Sequence, residues 1–205
     1  MRPAAGSSWG TWGDSEFCPE NSWASGYQLR HEPSCGDICD DTELNAVKLF
    51  CATKDGQQVA EVTSKKGGFG GWMANHSCDG DQSFINGVEF RSEKVDILRR
   101  VSLQNNHHIQ ETKGKSKHLD ETAGNNVNMA CSHGSVLPGD GGDFGTWSDF
   151  EICSENEAVC GIRTLGNLLR SFIHISFFDL LVEDPQGVFT DDTSLNQIIL
   201  YCCIL

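Results

Sequence analysis

Basic residues are scarce in this sequence. Lys and Arg together number 15 against 29 Asp and Glu, a formal charge of -14 over 205 residues. A chain this acidic repels phosphate backbones and anionic lipid, which makes nucleic acid and acidic membrane surfaces poor partners. Basic proteins and uncharged glycans fit the charge better, and acidity also serves plain solubility. Long apolar runs are missing too. The longest, Leu165 to Leu181, is shorter than a bilayer span normally needs and carries Arg170, His174 and Asp179, so no membrane span is expected. At the start, Met1 to Gly6 has no apolar stretch of the kind a secretory leader requires.

Close cysteine pairs of the C-x-x-C kind are also absent, which argues against a zinc site. No metal or other cofactor is expected. Yet the chain has ten cysteines, an even count and too many for an ordinary cytosolic protein of this length. They read as structural disulfides made in an oxidising compartment. The expectation is a secreted, extracellular protein, with the leader lost from the start of this sequence by truncation.

What the chain does have is an internal repeat. Trp12, Trp72 and Trp147 each stand six positions before a cysteine, Cys18, Cys78 and Cys153. Soon after each cysteine a glycine opens an alternating stretch: Gly26 to Arg30, Gly87 to Arg91 and Gly161 to Leu165. Alternation of apolar and polar residues is the pattern of a half-buried strand. Thr42, Thr122 and Thr193 lie nine residues before Cys51, Cys131 and Cys202, and Asn45, Asn125 and Asn196 lie six before them. Acidic pairs precede each Thr, at Asp40-Asp41, Asp120-Glu121 and Asp191-Asp192.

Each unit reads as strand, Gly-rich turn, strand, acidic turn, strand. The Asp, Thr and Asn positions suit turns, because short polar side chains bond nearby backbone. A fourth strand follows the closing cysteine at Gln58 to Thr63 and, more weakly, at Ser135 to Leu137. One such unit cannot bury its apolar face alone, whereas three sheets folded face-in around an axis can. The expected architecture is all-β, one domain over 1–205, with repeats at about 9–71, 72–144 and 145–203. Two stretches, 95–118 and 165–181, break the repeat and read as insertions. The third sheet lacks a closing strand, which would come from before Trp9; Met1 to Gly6 cannot supply it.

The strings Trp-Gly-Thr-Trp-Gly at 9–13, Asp-Asp-Thr-x-Leu-Asn at 40–45 and 191–196, and Cys202-Cys203 resemble the vitelline membrane outer layer proteins. So do Phe90 to Lys94, Asn125-Asn126-Val127 and Val182 to Gly187. The resemblance runs from about Trp9 to Cys203, outside the two insertions. It implies a β-prism: three antiparallel sheets around a pseudo-threefold axis, held by disulfides and shared with some plant lectins. It also implies the pairs Cys18 with Cys51 and Cys78 with Cys131, each closing one repeat. Cys153 and Cys160 would pair with Cys202 and Cys203 in an order left open. Cys35 and Cys39 depart from the pattern, and either bond each other or stay free.

Asn75-His76-Ser77 is the only N-glycosylation sequon. Paired carboxylates suit glycosidases, but recurrence at one turn of every repeat favours a turn-forming role for Asp40, Asp41 and Thr42. The same holds for Asp120, Glu121 and Thr122, and for Asp191, Asp192 and Thr193. Paired cysteines leave no thiolate for nucleophilic catalysis. The repeated Trp residues could stack on sugars, but packing where sheets meet is the expected role. Gly139 to Asp143 reads as the turn between repeats two and three. Together these readings favour a non-catalytic structural component of an extracellular coat or secretion, such as an egg coat, associating with matrix or coat proteins. A glycan-binding module is the alternative, and a glycan-processing enzyme comes third.

Overall fold

The alternating stretches do form strands, and every strand pairs antiparallel. The computed structural model describes residues 11–33, 43–80, 82–92, 124–166 and 195–205. In chain order its strands begin with β1 (Thr11–Trp12), β2 (Glu16–Phe17), β3 (Trp23–Glu32), β4 (Glu43–Ala52), β5 (Gln58–Val62) and β6 (Gly71–Ser77). They continue with β7 (Ile85–Ser92), β8 (Asn126–Cys131), β9 (Val136–Leu137), β10 (Thr146–Trp147), β11 (Glu151–Ile152), β12 (Glu157–Gly166) and β13 (Leu195–Ile204).

These strands make three sheets, each built on one long hairpin. The first sheet runs β5-β4-β3-β6; the second runs β9-β8-β7, with β10 and β11 along the free side of β7. The third runs β13-β12, with β1 and β2 along the free side of β12. The protein is therefore an all-β, disulfide-bonded β-prism.

The strand carrying each repeated Trp does not join its own hairpin. Trp72 pairs with Arg30 in the first sheet, Trp147 with Arg91 in the second and Trp12 with Leu165 in the third. The last of these passes from the beginning of the chain to its end and closes the ring. Residues 11–17 thus supply one flank of the third sheet, whereas among the described residues nothing pairs outside β13. Leu165 and Gly166, at the head of the second expected insertion, finish β12 opposite Gln197 and Leu195.

Equal steps along the three hairpins land on equivalent core positions. Tyr27, Val88 and Ile162 point to the axis, followed by Leu29, Phe90 and Thr164; all six are at most 3% exposed. From the facing strands come Leu49, Met129 and Leu200, then Val47, Val127 and Ile198. Each large apolar side chain buried there stabilises the fold by roughly 1.5–3 kcal/mol.

The hairpin glycines have a steric cause. All three hairpins shift register at the same place, between Ala24 and Gly26, Ile85 and Gly87, and Val159 and Gly161. The flanking strand then crosses so closely that a Cβ on Gly26 would lie 2.5 Å from the His76 carbonyl oxygen. On Gly87 it would meet Ile152 Cδ1 at 2.4 Å, and on Gly161 the Phe17 ring at 2.5 Å.

Candidate functional site

Each disulfide that was expected to close a repeat also ties two sheets. Cys18 follows β2 of the third sheet and bonds Cys51 in β4 of the first. Cys78 follows β6 of the first and bonds Cys131 in β8 of the second. Cys153 follows β11 of the second and bonds Cys202 in β13 of the third. The three bonds therefore form a ring around one end of the prism. The order left open in repeat three resolves as Cys153–Cys202 and Cys160–Cys203, the second lying within one sheet between β12 and β13. Cys35 and Cys39 lie outside the described residues.

Beside this ring a small apolar cap shuts the same end. Trp23, Ala52, Phe84, Ala158 and Cys160 pack together, with Tyr201 and Leu205 against them. The indole N–H of Trp23 donates to the Ile204 carbonyl at 3.1 Å.

At the opposite end, Asn45 and Asn125 hold the glycine-rich loops that lead to the next Trp. Asn45 accepts from the Phe69 amide at 3.3 Å, and its own carbonyl accepts from Gly67 N–H at 2.7 Å. Asn125 donates to the Phe144 carbonyl at 3.0 Å, and its carbonyl accepts from Gly142 N–H at 2.7 Å. Asn45, Asn125 and Asn196 are at most 1% exposed. The expectation that they are turn formers is corrected: they are buried, Asn45 and Asn196 inside strands. The acidic groups Asp40-Asp41-Thr42, Asp120-Glu121-Thr122 and Asp191-Asp192-Thr193 all lie outside the described residues.

Arginine completes these loops. Arg30 donates to the carbonyls of Gly67, Gly68 and Gly70 at 3.0, 3.0 and 3.1 Å. Its counterpart Arg91 reaches Gly145 at 3.3 Å and Asp143 at 3.2 Å.

The tryptophans differ from expectation as well. Trp72 and Trp147 are 36% and 37% exposed on outer faces rather than packed where sheets meet. A cation covers each ring: Lys48 above Trp72 at 4.5 Å, Arg91 above Trp147 at 5.6 Å and Arg163 above Trp12 at 5.2 Å. Such pairs contribute about 0.5–1 kcal/mol at exposed sites. Sequence reasoning missed Phe69 and Phe144, both exposed, each three residues before its Trp. Trp9 stands at the same offset from Trp12, so an aromatic-Gly-x-Trp signal was there to find.

Two seams join neighbouring sheets through polar groups. Between the first and second, Tyr27 donates its buried hydroxyl to the carbonyls of Val127 and Leu137 at 3.0 and 3.1 Å. Burial first, and the charge of Asp140 second, push this phenol well above its usual range. Alongside it His76 meets Asp140 at 2.7 Å. Gly139 to Asp143, expected as a plain turn, is thus part of a seam.

Between the first and third sheets, Lys65 donates to the carbonyls of Thr11 and Gly166 at 3.2 and 2.7 Å and also touches Thr11 Oγ1. Burial holds its ammonium below the usual lysine range. Thr164 donates to the Lys65 carbonyl at 3.0 Å, which explains a hydroxyl where the other sheets carry Leu29 and Phe90.

One buried pair breaks the threefold pattern. His31 meets Glu43 at 2.9 Å, with side chains 10% and 4% exposed, where the second sheet has Ser92 and the third Gly166 at the histidine position. Glu43 begins β4 in the left-handed region at φ 50°, and a Cβ on Gly142 would fall on its carboxylate. Asn75 is exposed on β6, an edge strand. Among the described residues no three metal-ligating side chains gather, and no helix is long and apolar enough to cross a membrane.

The family model described as vitelline membrane outer layer protein I matches residues 1–167. The chain belongs to this family. It is similar to the human protein named vitelline membrane outer layer protein 1 homolog (Homo sapiens), at 32% identity over 203 residues. That match covers 97% of this chain and 80% of the relative. The mouse protein of the same name (Mus musculus) is 31% identical over 202 residues, with the same coverage of both chains.

Solved structures with the same fold include Calystegia sepium agglutinin, with a TM-score of 0.52, 9% identity and coverage of 98% and 94%. The mannose-binding lectin from Champedak matches with a TM-score of 0.51, 10% identity and coverage of 100% and 95%. Artocarpin in complex with mannotriose matches with a TM-score of 0.52, 9% identity and coverage of 100% and 96%. At such identities the likeness concerns the fold.

Proposed function

We propose that the protein is a non-catalytic structural component of an extracellular coat or secretion. The observation that carries this reading is the ring of disulfides between sheets. A bond between sheets limits both their separation and the opening of the chain, the usual device of small proteins outside the cell. Family membership supports the same compartment, since the relatives are named for an outer layer. The acidic surface suits association with basic matrix or coat proteins. Asn75, exposed on an edge strand, would carry a glycan in such a setting.

Isolation of a native coat or secretion tests this reading. The protein should co-purify with coat proteins, resist trypsin while oxidised, and become sensitive on reduction. Recovery as a reduced, freely soluble intracellular chain would contradict it.

A glycan-binding role is the second reading, favoured by a fold shared with lectins that bind mannose. Fold alone leaves the site open, because unrelated functions share folds.

A further inference from the structure

The three outer sheet faces occupy equivalent places but differ in chemistry. The first presents Lys48 paired with Glu61 at 2.9 Å, beside Gln28. The second presents Asn128 bonded to Glu89 at 2.8 Å. At the corresponding positions the third presents Ile199 and Arg163, opposite one another across β12 and β13. Neither Gly161 to Gly166 nor Gln197 to Tyr201 contains a carboxylate, in a chain of charge -14.

Aromatic rings fill that face. Phe17 lies over Gly161 and is 52% exposed, with the Tyr201 ring 4.8 Å away. The first and second sheets have Ser77 and Ile152 where the third has Phe17, and Phe50 and Ala130 where it has Tyr201. Four residues further along β12 stands Trp12, opposite Leu165. At the usual strand rise the rings are about 13 Å apart, which suits several sugar units better than one.

The side chains between them are already fixed. Tyr201 shares a 2.8 Å hydrogen bond with Ser15, and Arg163 donates through Nε to the Gly13 carbonyl at 3.0 Å while lying over Trp12. The two terminal amino groups of Arg163 have no partner among the described residues and can donate to hydroxyl oxygens.

We propose that the outer face of the third sheet binds a neutral oligosaccharide, with rings stacking on Phe17 and Tyr201 and Arg163 hydrogen-bonding to hydroxyls. This rests on the glycan-binding reading above and gives it a place. The occupant follows from the chemistry: aromatic faces alternate with fixed donors, and the hairpin strands offer no carboxylate from Gly161 to Gly166 or from Gln197 to Tyr201, the exposed Asp14 lying on the flank beside Ser15. An uncharged partner also meets no repulsion from the acidic chain.

The test uses the full oxidised chain, with mannotriose and an N-acetylglucosamine trimer as probes. Amide chemical shifts are followed during titration, and affinity is measured by calorimetry. The proposal expects shifts centred on Gly161, Ile199 and Tyr201, with affinity reduced at least tenfold by Phe17→Ala. Trp147→Ala, on the second sheet, should bind as the parent does. The shift map on the unaltered protein stands even where Phe17→Ala disturbs folding. Binding whose shifts fall elsewhere and that survives Phe17→Ala overturns the site while sparing the glycan reading. No binding of either probe overturns the proposal. Self-association that disappears in Phe17→Ala overturns it in favour of a contact between copies of the chain.

Discussion

Cys18 and Cys51 belong to one sequence repeat, 33 residues apart, yet they sit in different sheets with Cα atoms 5.6 Å from each other. The cause lies in the strand exchange: the stretch from Trp12 to Cys18 flanks the third sheet, while Cys51 lies in the first. The same relation recurs for Cys78 with Cys131 and Cys153 with Cys202. A repeat in sequence is thus spread over two sheets in space, and its disulfide holds those sheets together.

Loss of these bonds should not cost equally. Replacing Cys18 and Cys51 by Ser releases a loop of 33 residues and should cost about 3–4 kcal/mol on the chain-entropy scale. Cys160–Cys203 spans 43 residues, but Cys153–Cys202 already closes nearly the same loop, seven residues away on one side and one on the other. Removing Cys160 and Cys203 together should therefore cost about 1 kcal/mol less than removing the first pair. Urea unfolding of both double variants measures the difference.

Tyr27 makes stability depend on alkaline pH. Its pKa in the fold lies above the ordinary 10 because of burial and the charge of Asp140. The stabilisation is fully present below pH 10 and is lost as pH rises from there towards the folded value. Tyr27→Phe should cost about 1–2 kcal/mol at neutral pH, through the unpaired carbonyls of Val127 and Leu137. That cost should shrink above pH 10, where only the parent has a phenol to ionise on unfolding. Unfolding midpoints of both proteins across this window give the answer.

Gly26→Ala tests the close crossing of strands. Its Cβ would stand 2.5 Å from the His76 carbonyl oxygen, so strand separation should cost about 1–3 kcal/mol. Gly56 has a φ of 81° with nothing within 4 Å of its Cβ position. Gly56→Ala should cost only the handedness penalty of about 1–2 kcal/mol and leave the β3–β6 pairing intact. Amide exchange in β6 separates the two: faster in the first variant, unchanged in the second.

Arg30→Lys should behave almost as Arg30→Ala. The guanidinium reaches three carbonyls through a planar fork, whereas an ammonium offers one point of contact. Both variants should loosen residues 67–70, with thermal shifts of similar size. Recovery of the parent midpoint by Lys would show that charge alone holds the loop.

Much of this architecture was legible because alternation and landmark spacing are local. The glycines at 26, 87 and 161 and the cysteines at 51, 131 and 202 marked the hairpin strands. The partner of the Trp strand was not legible, since periodicity reports which face a strand buries and is silent on which hairpin it joins. Asn45 and Asn125 read as turn residues because their type favours turns; burial against a loop that starts about twenty residues later overrode that preference. The distinct third face was likewise hidden. Ile199, Arg163 and Phe17 are unremarkable alone and become a patch only once β2, β12 and β13 lie side by side.

The most direct test is a non-reducing peptide map of the protein isolated from its native secretion. The account predicts Cys18–Cys51, Cys78–Cys131, Cys153–Cys202 and Cys160–Cys203 in an extracellular chain. Free thiols at these positions, or bonds that join cysteines of different repeats, would contradict the disulfide-ringed prism and with it the coat-protein reading.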